Sequence, residues 1–329
     1  MIEWLIPSVL ILGAAFIPKG KMKEQDKIDL VFKNCRICVS NGEETKYPKL
    51  IKKPQKSKLG THTTYIYSLP FGLKSKRVED ITEELEEALN KNIDIEFDGV
   101  LKIRVFNDRL PREWDYTDDL IRPETWEVPI GKNHKGILYH DFDKFPMMLV
   151  GGVTRFGKTV FLKQMLYTLL NSKPDNIDVY ILDLKGAIEF NRYFSLPQVK
   201  ALAGNIFEAE KVLEHVVNEM KVQEKIFKAN GYTNIVDTPI KKRKFIIVDE
   251  GAELSPRMIT DKTKRKYAEF CQSALSEISR IGGGIGLRVL YCTQYPTKEA
   301  VSMAVKMDIV SVMSFSVPEA IGSKVLLDE

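Results

Sequence analysis

The chain has 329 residues, 44% hydrophobic and 29% charged, with a formal net charge of +4. It is long enough for one large or two medium cores, and its composition excludes collagenous, disordered and disulfide-stapled proteins. Four scattered cysteines fit a reducing compartment, and so mild a basic balance does not by itself establish a nucleic-acid partner.

Residues 4–18 are almost wholly apolar, and Lys19, Lys21 and Lys23 follow at once. A secretory signal would carry its basic residues before the apolar run, not after it. The run is short of the roughly 20 residues that span a bilayer comfortably. Residues 1–18 are expected to be a short membrane anchor, with an amphipathic or buried helix as the alternative. The positive-inside rule then keeps the rest of the chain cytoplasmic.

Residues 19–60 hold eleven Lys and one Arg against three Glu and two Asp. This basic tether is either a solvated connection or a surface for phosphates or anionic lipid. Within it, residues 30–39 read as a strand and 41–60 as a Lys/Pro-rich loop. Cys35 and Cys38 form a C-x-x-C with no second ligand pair, so both read as strand residues, not zinc ligands.

Residues 61–106 read as a small α+β module. A strand at 63–69 precedes a helix over 75–90, with Val78, Ile81, Leu85 and Leu89 on one face. Segments 93–97 and 100–106 alternate around Asp98-Gly99 as a hairpin. Residues 107–129 are a connector rich in Pro, Trp and Asp. From residue 130 to 329 strands near 147–151, 179–183, 245–249, 287–292 and 309–315 alternate with helices near 158–170, 186–193, 207–229, 262–280 and 297–305. That series predicts an α/β fold with a mostly parallel sheet covered on both faces.

The first strand of this series leads into Gly152-Val153-Thr154-Arg155-Phe156-Gly157-Lys158-Thr159, a complete G-x-x-x-x-G-K-[ST] loop followed by a helical run. Average residue usage gives such a match by chance in about 1% of chains this long, and the strand–loop–helix context is the one a phosphate-binding loop requires. Gly152 and Gly157 let successive N–H groups face phosphate oxygens. Lys158 is placed for the β- and γ-phosphates of ATP, and the Thr159 hydroxyl for Mg²⁺. Arg155 and Phe156 are large for a phosphate cradle and are expected to point outward.

A buried strand ends at Asp249-Glu250. Asp249 suits the Mg²⁺ shell, and Glu250 is placed to orient or deprotonate the attacking water. Another strand ends at Thr293-Gln294, where Gln294 fits either a γ-phosphate sensor or a capping residue. Arg280, before a run of three glycines, fits an arginine finger or a solvated arginine at a helix C-terminus.

Together these residues resemble the FtsK/SpoIIIE family of DNA-translocating ATPases, within the wider group that includes conjugative coupling proteins. The segment 130–136, then 141–146, is similar to the family's lead-in to its P-loop. Asp183-Leu184-Lys185 resembles the family's D-P-K. The segment 249–254 resembles D-E-L-A-D-L, with Gly251 and Glu253 as departures. Residues 280–287 resemble R-A-A-G-I-H-L, and 293–296 resemble T-Q-R-P with Tyr295 in place of Arg.

The resemblance implies a RecA-like motor domain over 130–329, DNA as the substrate and a homo-hexameric ring with ATP between subunits. It also implies Glu250 as catalytic base, Gln294 as γ-phosphate sensor and Arg280 as a finger acting in trans. Arg155 resembles the mobile-element branch, which implies conjugative or mobile-element transfer with a relaxase as a possible partner. The ending at Glu329 leads to the expectation of a motor domain without its last strand. The alternatives are a chromosome or plasmid segregation translocase, and a membrane-tethered adaptor that binds ATP without moving DNA.

Overall fold

The computed structural model describes residues 22–42, 44–111, 113–153, 156–294, 306 and 308–315. The expected anchor at 1–18, Thr154, Arg155, Tyr295 and the expected helix at 297–305 lie outside them. Among the described residues no helix is long and apolar enough to cross a membrane. The chain forms two compact units, one reaching Trp114 and including residues 132–136, the other comprising 115–131 and 137 onward.

The first unit opens with helix α1 (Glu24–Asn34), not the strand expected over 30–39. Ile28, Val31 and Phe32 are buried, a three- and four-residue spacing that makes one helical face. Cys35 ends this helix as its C-cap, and both Cys35 and Cys38 are free thiols. Strands β1 (Val39–Asn41) and β2 (Glu44–Lys46) pair as a short ribbon.

The expected loop at 41–60 is also corrected. Its second half is strand β3 (Lys49–Lys56), paired antiparallel with β4 (His62–Ser68). β3 lies at the edge of a four-stranded sheet, where Lys and Pro are tolerated because one side of the ladder faces water. The pairing is irregular between Lys52 and Gln55, around Pro54.

Helices α2 (Lys76–Glu79) and α3 (Thr82–Leu89) bury Val78, Ile81, Leu85 and Leu89, the face read from the sequence. Strands β5 (Ile93–Asp98) and β6 (Val100–Phe106) form the expected hairpin and complete the sheet. α1 packs its buried face with Tyr65, Tyr67, Leu101 and Ile103, and the Phe32 and Tyr67 rings meet edge to face at 5.4 Å.

Strands β7 (Glu127–Asn133) and β8 (Gly136–Asp141) form a two-stranded ribbon in the lead-in segment. The second unit is built on a six-stranded sheet. Its strands are β9 (Met147–Gly151), β10 (Ile177–Leu182), β11 (Val199–Ala203), β12 (Arg243–Val248), β13 (Leu287–Thr293) and β14 (Ser311–Ser314). They run in the order β11-β10-β12-β13-β9-β14, every neighbouring pair parallel.

Alternate residues of each central strand face two different cores. Leu149, Leu182, Val248 and Val289 pack under α5 (Ile206–Asn230) and α6 (Lys262–Ile281). Val150, Ile181, Ile247 and Leu290 pack under α4 (Lys158–Ser172). Burial on both faces explains why these strands read as unbroken apolar runs.

Two details depart from the sequence reading. The expected helix at 186–193 is a pair of turns and a short 3₁₀ segment at Asn191–Tyr193. The Asp183 carboxylate accepts the N–H groups of Glu189 and Phe190 at 2.9 and 3.2 Å, and the chain reverses through Gly186 at φ +83° and Ala187 at φ +59°. Edge strand β11 is the other, a segment whose lysine and alanines give no clear alternation.

At the far end of the sheet from the phosphate loop, Asp143 binds two arginines. Arg243 reaches it at 2.8 and 3.1 Å and Arg288, fully buried, at 2.6 Å. Burial alone would raise the Asp143 carboxyl, but the hydrogen bonds from Arg243 and Arg288 outweigh it and hold the group below its ordinary range.

Candidate functional site

Parallel strands put their C-terminal ends on one edge, where an open α/β sheet binds ligands. The register aligns Gly151 of β9 with Thr293 of β13, and Val248 of β12 with both Tyr291 and Leu182. The residues just beyond these strands therefore converge: the glycine loop after β9, Asp183 after β10, Asp249 and Glu250 after β12, Gln294 after β13. β13 stands between the glycine-loop strand and the acid-bearing strand.

The glycine loop is shaped by a close approach. A Cβ on Gly152 would lie 2.5 Å from Cβ of Phe315, and Gly152 itself sits at φ +152°. Phe315 N–H donates to the Gly151 carbonyl at 2.8 Å, and its ring meets Phe161 of α4 at 5.6 Å between centroids. Gly157, at φ +96°, starts α4. The first four N–H groups of a helix lack partners within it and offer an anion site. Phe156 is 57% exposed, as its size in the loop suggested.

A cleft of about 420 Å³ is lined by Gly157, Lys158, Thr159, Val160, Lys185, Glu189, Asp249 and Gln294. Lys158 is buried and its Nζ donates to the Asp249 carbonyl at 2.9 Å. Glu250, also buried, is held from several sides. Thr293 Oγ1 donates to Oε1 at 3.0 Å, and the Gln294 N–H reaches Oε1 and Oε2 at 3.0 and 3.1 Å. Lys185 Nζ lies 3.4 Å from Oε2 and Lys158 Nζ 3.9 Å.

Asp249, which lines the cleft, and Asp183, close enough to act on its charge, each have a buried oxygen without a partner among the described residues: Asp249 Oδ1 and Asp183 Oδ1. Burial pushes the Asp249 carboxyl upward; Lys158 opposes this and Asp183 adds to it. A buried charge without a partner is costly, so this donor set fits a divalent cation, with Asp249 and the Thr159 hydroxyl as the residues to hold it.

The cleft thus joins Lys158, Thr159, Asp249 and Gln294, with Glu250 behind it. Gln294 contributes more than its side chain, because its main-chain N–H fixes Glu250. Arg280 is exposed on the last turn of α6 and is not among the cleft residues. Thr293, Asp183 and Lys185 carry no assigned role in the sequence reading. For Lys185 the sequence offers one signal, its place just past a buried strand in Asp183-Leu184-Lys185.

Residues 119–260 match the model of the FtsK/SpoIIIE family. The matched stretch takes in the glycine loop at 152–159 and the acidic strand end at Asp249-Glu250. It is 27% identical to the DNA translocase FtsK of Streptococcus agalactiae over 95% of this chain and 40% of that protein. With its counterpart from Listeria monocytogenes it shares 26% over 62% of this chain and 28% of the relative. The chain therefore spans less than half the length of these curated relatives.

Among solved structures, the pCW3 conjugation coupling protein TcpA in monomer form with ATPγS superimposes with a TM-score of 0.65 at 22% identity, covering 94% of this chain and 87% of that one. The cytoplasmic domain of the Thermomonospora curvata type VII secretion ATPase EccC gives 0.53 at 22%, over 64% and 26%. These likenesses support the fold: an α/β unit with a six-stranded parallel sheet, matching P-loop ATPase neighbours.

One departure from the family pattern has a structural cause. Gly251 stands where the family motif has Leu, and a Cβ there would lie 2.0 Å from the ring of Tyr291. Tyr291 is fully buried on β13. Gly251→Ala is expected to destabilise the domain by about 1–3 kcal/mol through overpacking. Thermal unfolding of Gly251→Ala and of Gly251→Ala/Tyr291→Leu measures it. An unchanged melting temperature in the single variant would show that the ring can move aside.

Proposed function

We propose that this chain is a Mg²⁺-ATP-driven motor that moves duplex DNA, attached to the membrane through residues 1–18, with the motor on the cytoplasmic side. The observation that carries this reading is the convergence of Lys158, Thr159, Asp249, Glu250 and Gln294 within an FtsK/SpoIIIE domain. The names of the curated relatives, DNA translocases, support DNA as the substrate. We place the motor in conjugative or mobile-element DNA transfer, working as a homo-hexamer, with a relaxase among its partners.

In hydrolysis a water oxygen attacks the γ-phosphorus as its bond to the ADP oxygen breaks, and the water proton passes to Glu250. Thr293, the Gln294 N–H and Lys185 fix the carboxylate that receives it. Lys158 and the glycine-loop N–H groups stabilise charge on the phosphate oxygens. Bound Mg²⁺, held by Thr159 and Asp249, would supply further neutralisation of phosphate charge.

The test is ATP hydrolysis by the full chain with and without duplex DNA, paired with displacement of a triplex-forming strand from that duplex. Hydrolysis stimulated by DNA of any sequence, with strand displacement, is expected. Stimulation should weaken steeply with salt, because phosphate contacts release counterions. DNA-dependent assembly without displacement would instead identify a tethered adaptor, and indifference to DNA would remove DNA as substrate.

A further inference from the structure

The first unit carries a charge pattern that the nucleotide site does not use. Between Thr45 and Val78 the sequence holds eight Lys and one Arg and no acidic residue. Lys49, Lys52, Lys53 and Lys56 are exposed along edge strand β3, and Lys58 is exposed on the turn after it. None of these five makes an ion pair among the described residues, whereas other lysines of this unit, such as Lys46, Lys91 and Lys102, do.

Lysines on an edge strand commonly serve to block pairing with other chains. That role does not account for the apolar residues beside them. Leu59, at the hairpin tip next to Lys58, is 88% exposed, and Ile51 on β3 is 46% exposed. The tip is also firmly built. Ser57 N–H donates to the His62 carbonyl at 2.9 Å and Gly60 N–H to the Ser57 carbonyl at 3.0 Å. Ser57 Oγ accepts the Thr61 N–H at 2.9 Å. Gly60, at φ +69°, allows the reversal. Leu59 is thus held out on a hydrogen-bonded turn among positive charges.

A chain of contacts places this tip where the polypeptide enters the unit. Glu24, the first residue of α1, pairs with Lys91 at 2.6 Å. Lys91 also reaches Asn107 Oδ1 at 3.3 Å, and Asn107 Nδ2 donates to the Gly60 carbonyl at 2.7 Å. Immediately upstream in sequence lie Lys19, Lys21 and Lys23, and before them the apolar run 4–18.

We propose that the β3–β4 hairpin end is a docking surface for anionic phospholipid headgroups, with Lys52, Lys53, Lys56 and Lys58 against the phosphates and Leu59 in the interfacial layer. The inference rests on the membrane attachment proposed above. Basic residues near an anionic leaflet gain attraction individually, and an exposed apolar residue among them adds burial at the headgroup boundary. A DNA backbone offers the lysines the same phosphate chemistry but gives Leu59 and Ile51 nothing to bury against, which is why the lipid surface is favoured.

Hydrogen–deuterium exchange on the full chain, reconstituted into nanodiscs, tests this. Discs of phosphatidylcholine alone are compared with discs containing phosphatidylglycerol. Amides of residues 56–60 are expected to exchange several-fold more slowly in the anionic discs only. Lys52→Glu/Lys53→Glu/Lys56→Glu/Lys58→Glu, changes confined to exposed side chains, should abolish the difference. The corresponding drop in affinity for anionic vesicles should be about 600-fold, at roughly fivefold for each of the four lysines.

Equal exchange in both discs overturns the proposal. So does protection that appears with added duplex DNA and not with anionic lipid, which would assign the surface to DNA. A chain that fails to enter nanodiscs refutes the attachment reading alone; sedimentation of that chain with anionic and neutral vesicles then decides the hairpin by the same charge-reversal comparison.

Discussion

Replacing Glu250 by Gln is expected to leave ATP binding intact and to lower turnover by about 10²–10⁴-fold, the range a positioned general base contributes. The substitution keeps the shape of the side chain and its capacity to accept one hydrogen bond from Thr293 Oγ1 or the Gln294 N–H. It removes the second acceptor oxygen, the charge facing Lys185 and Lys158, and the basicity needed to take a proton. Lys158→Ala should behave differently. It deletes a buried ammonium aimed across the cleft, so affinity and turnover fall together. Lys185→Met tests the support: the Glu250 carboxylate stays but loses a partner at 3.4 Å, so turnover should fall less than in Glu250→Gln while affinity changes little. Steady-state hydrolysis with titration of a fluorescent ATP analogue measures both quantities. Turnover within threefold of the parent in Glu250→Gln would exclude Glu250 as the base.

Asp143→Ala should be the most destabilising single change in the second unit. It leaves the Arg243 and Arg288 guanidinium groups without their shared carboxylate, and both are buried. Breaking a buried ion pair from one side costs about 3–5 kcal/mol, a fall in Tm on the order of 10 °C for a domain of this size. Replacing Arg288 by Met in that background should recover part of the loss, because the variant then buries one fewer unpaired charge. The same cluster sets a pH dependence. The Asp143 carboxyl is depressed in the folded state, so its contribution is full above the unfolded carboxyl value of about 4 and is lost as pH falls further. The gap in stability between the parent and Asp143→Ala should therefore be constant near neutrality and narrow below about pH 4. Denaturant unfolding across pH is the measurement, and a gap that stays open in acid would mean the cluster does not work through the charge of Asp143.

The phosphate loop, the acid pair and the sheet class were legible in the sequence because each is local. A glycine loop between a strand and a helix declares itself within a dozen residues, and strands buried on both faces leave unbroken apolar runs. The support around Glu250 was not legible, because Lys185 and Thr293 lie 65 and 43 residues away in the chain and meet it only through strand order. The first unit misled for a different reason. A lysine-rich edge strand has no apolar alternation to display, so β3 read as a loop. α1 buries only a narrow stripe, and the β-branched and aromatic residues around it read as a strand. Gly251 shows the reverse case. Its departure from the family motif was visible, but the reason, the ring of Tyr291 forty residues on, belongs to the folded sheet.

Phe315 makes the glycine loop a mechanical anchorage. Its N–H is tied to Gly151, and its Cβ lies so close to Gly152 that no side chain fits there. A displacement of Phe315 would therefore be passed directly to the glycine loop. Such a movement would widen or tighten the nucleotide cradle without passing through any intermediate element, and a change of nucleotide would be felt at Phe315 by the same short route.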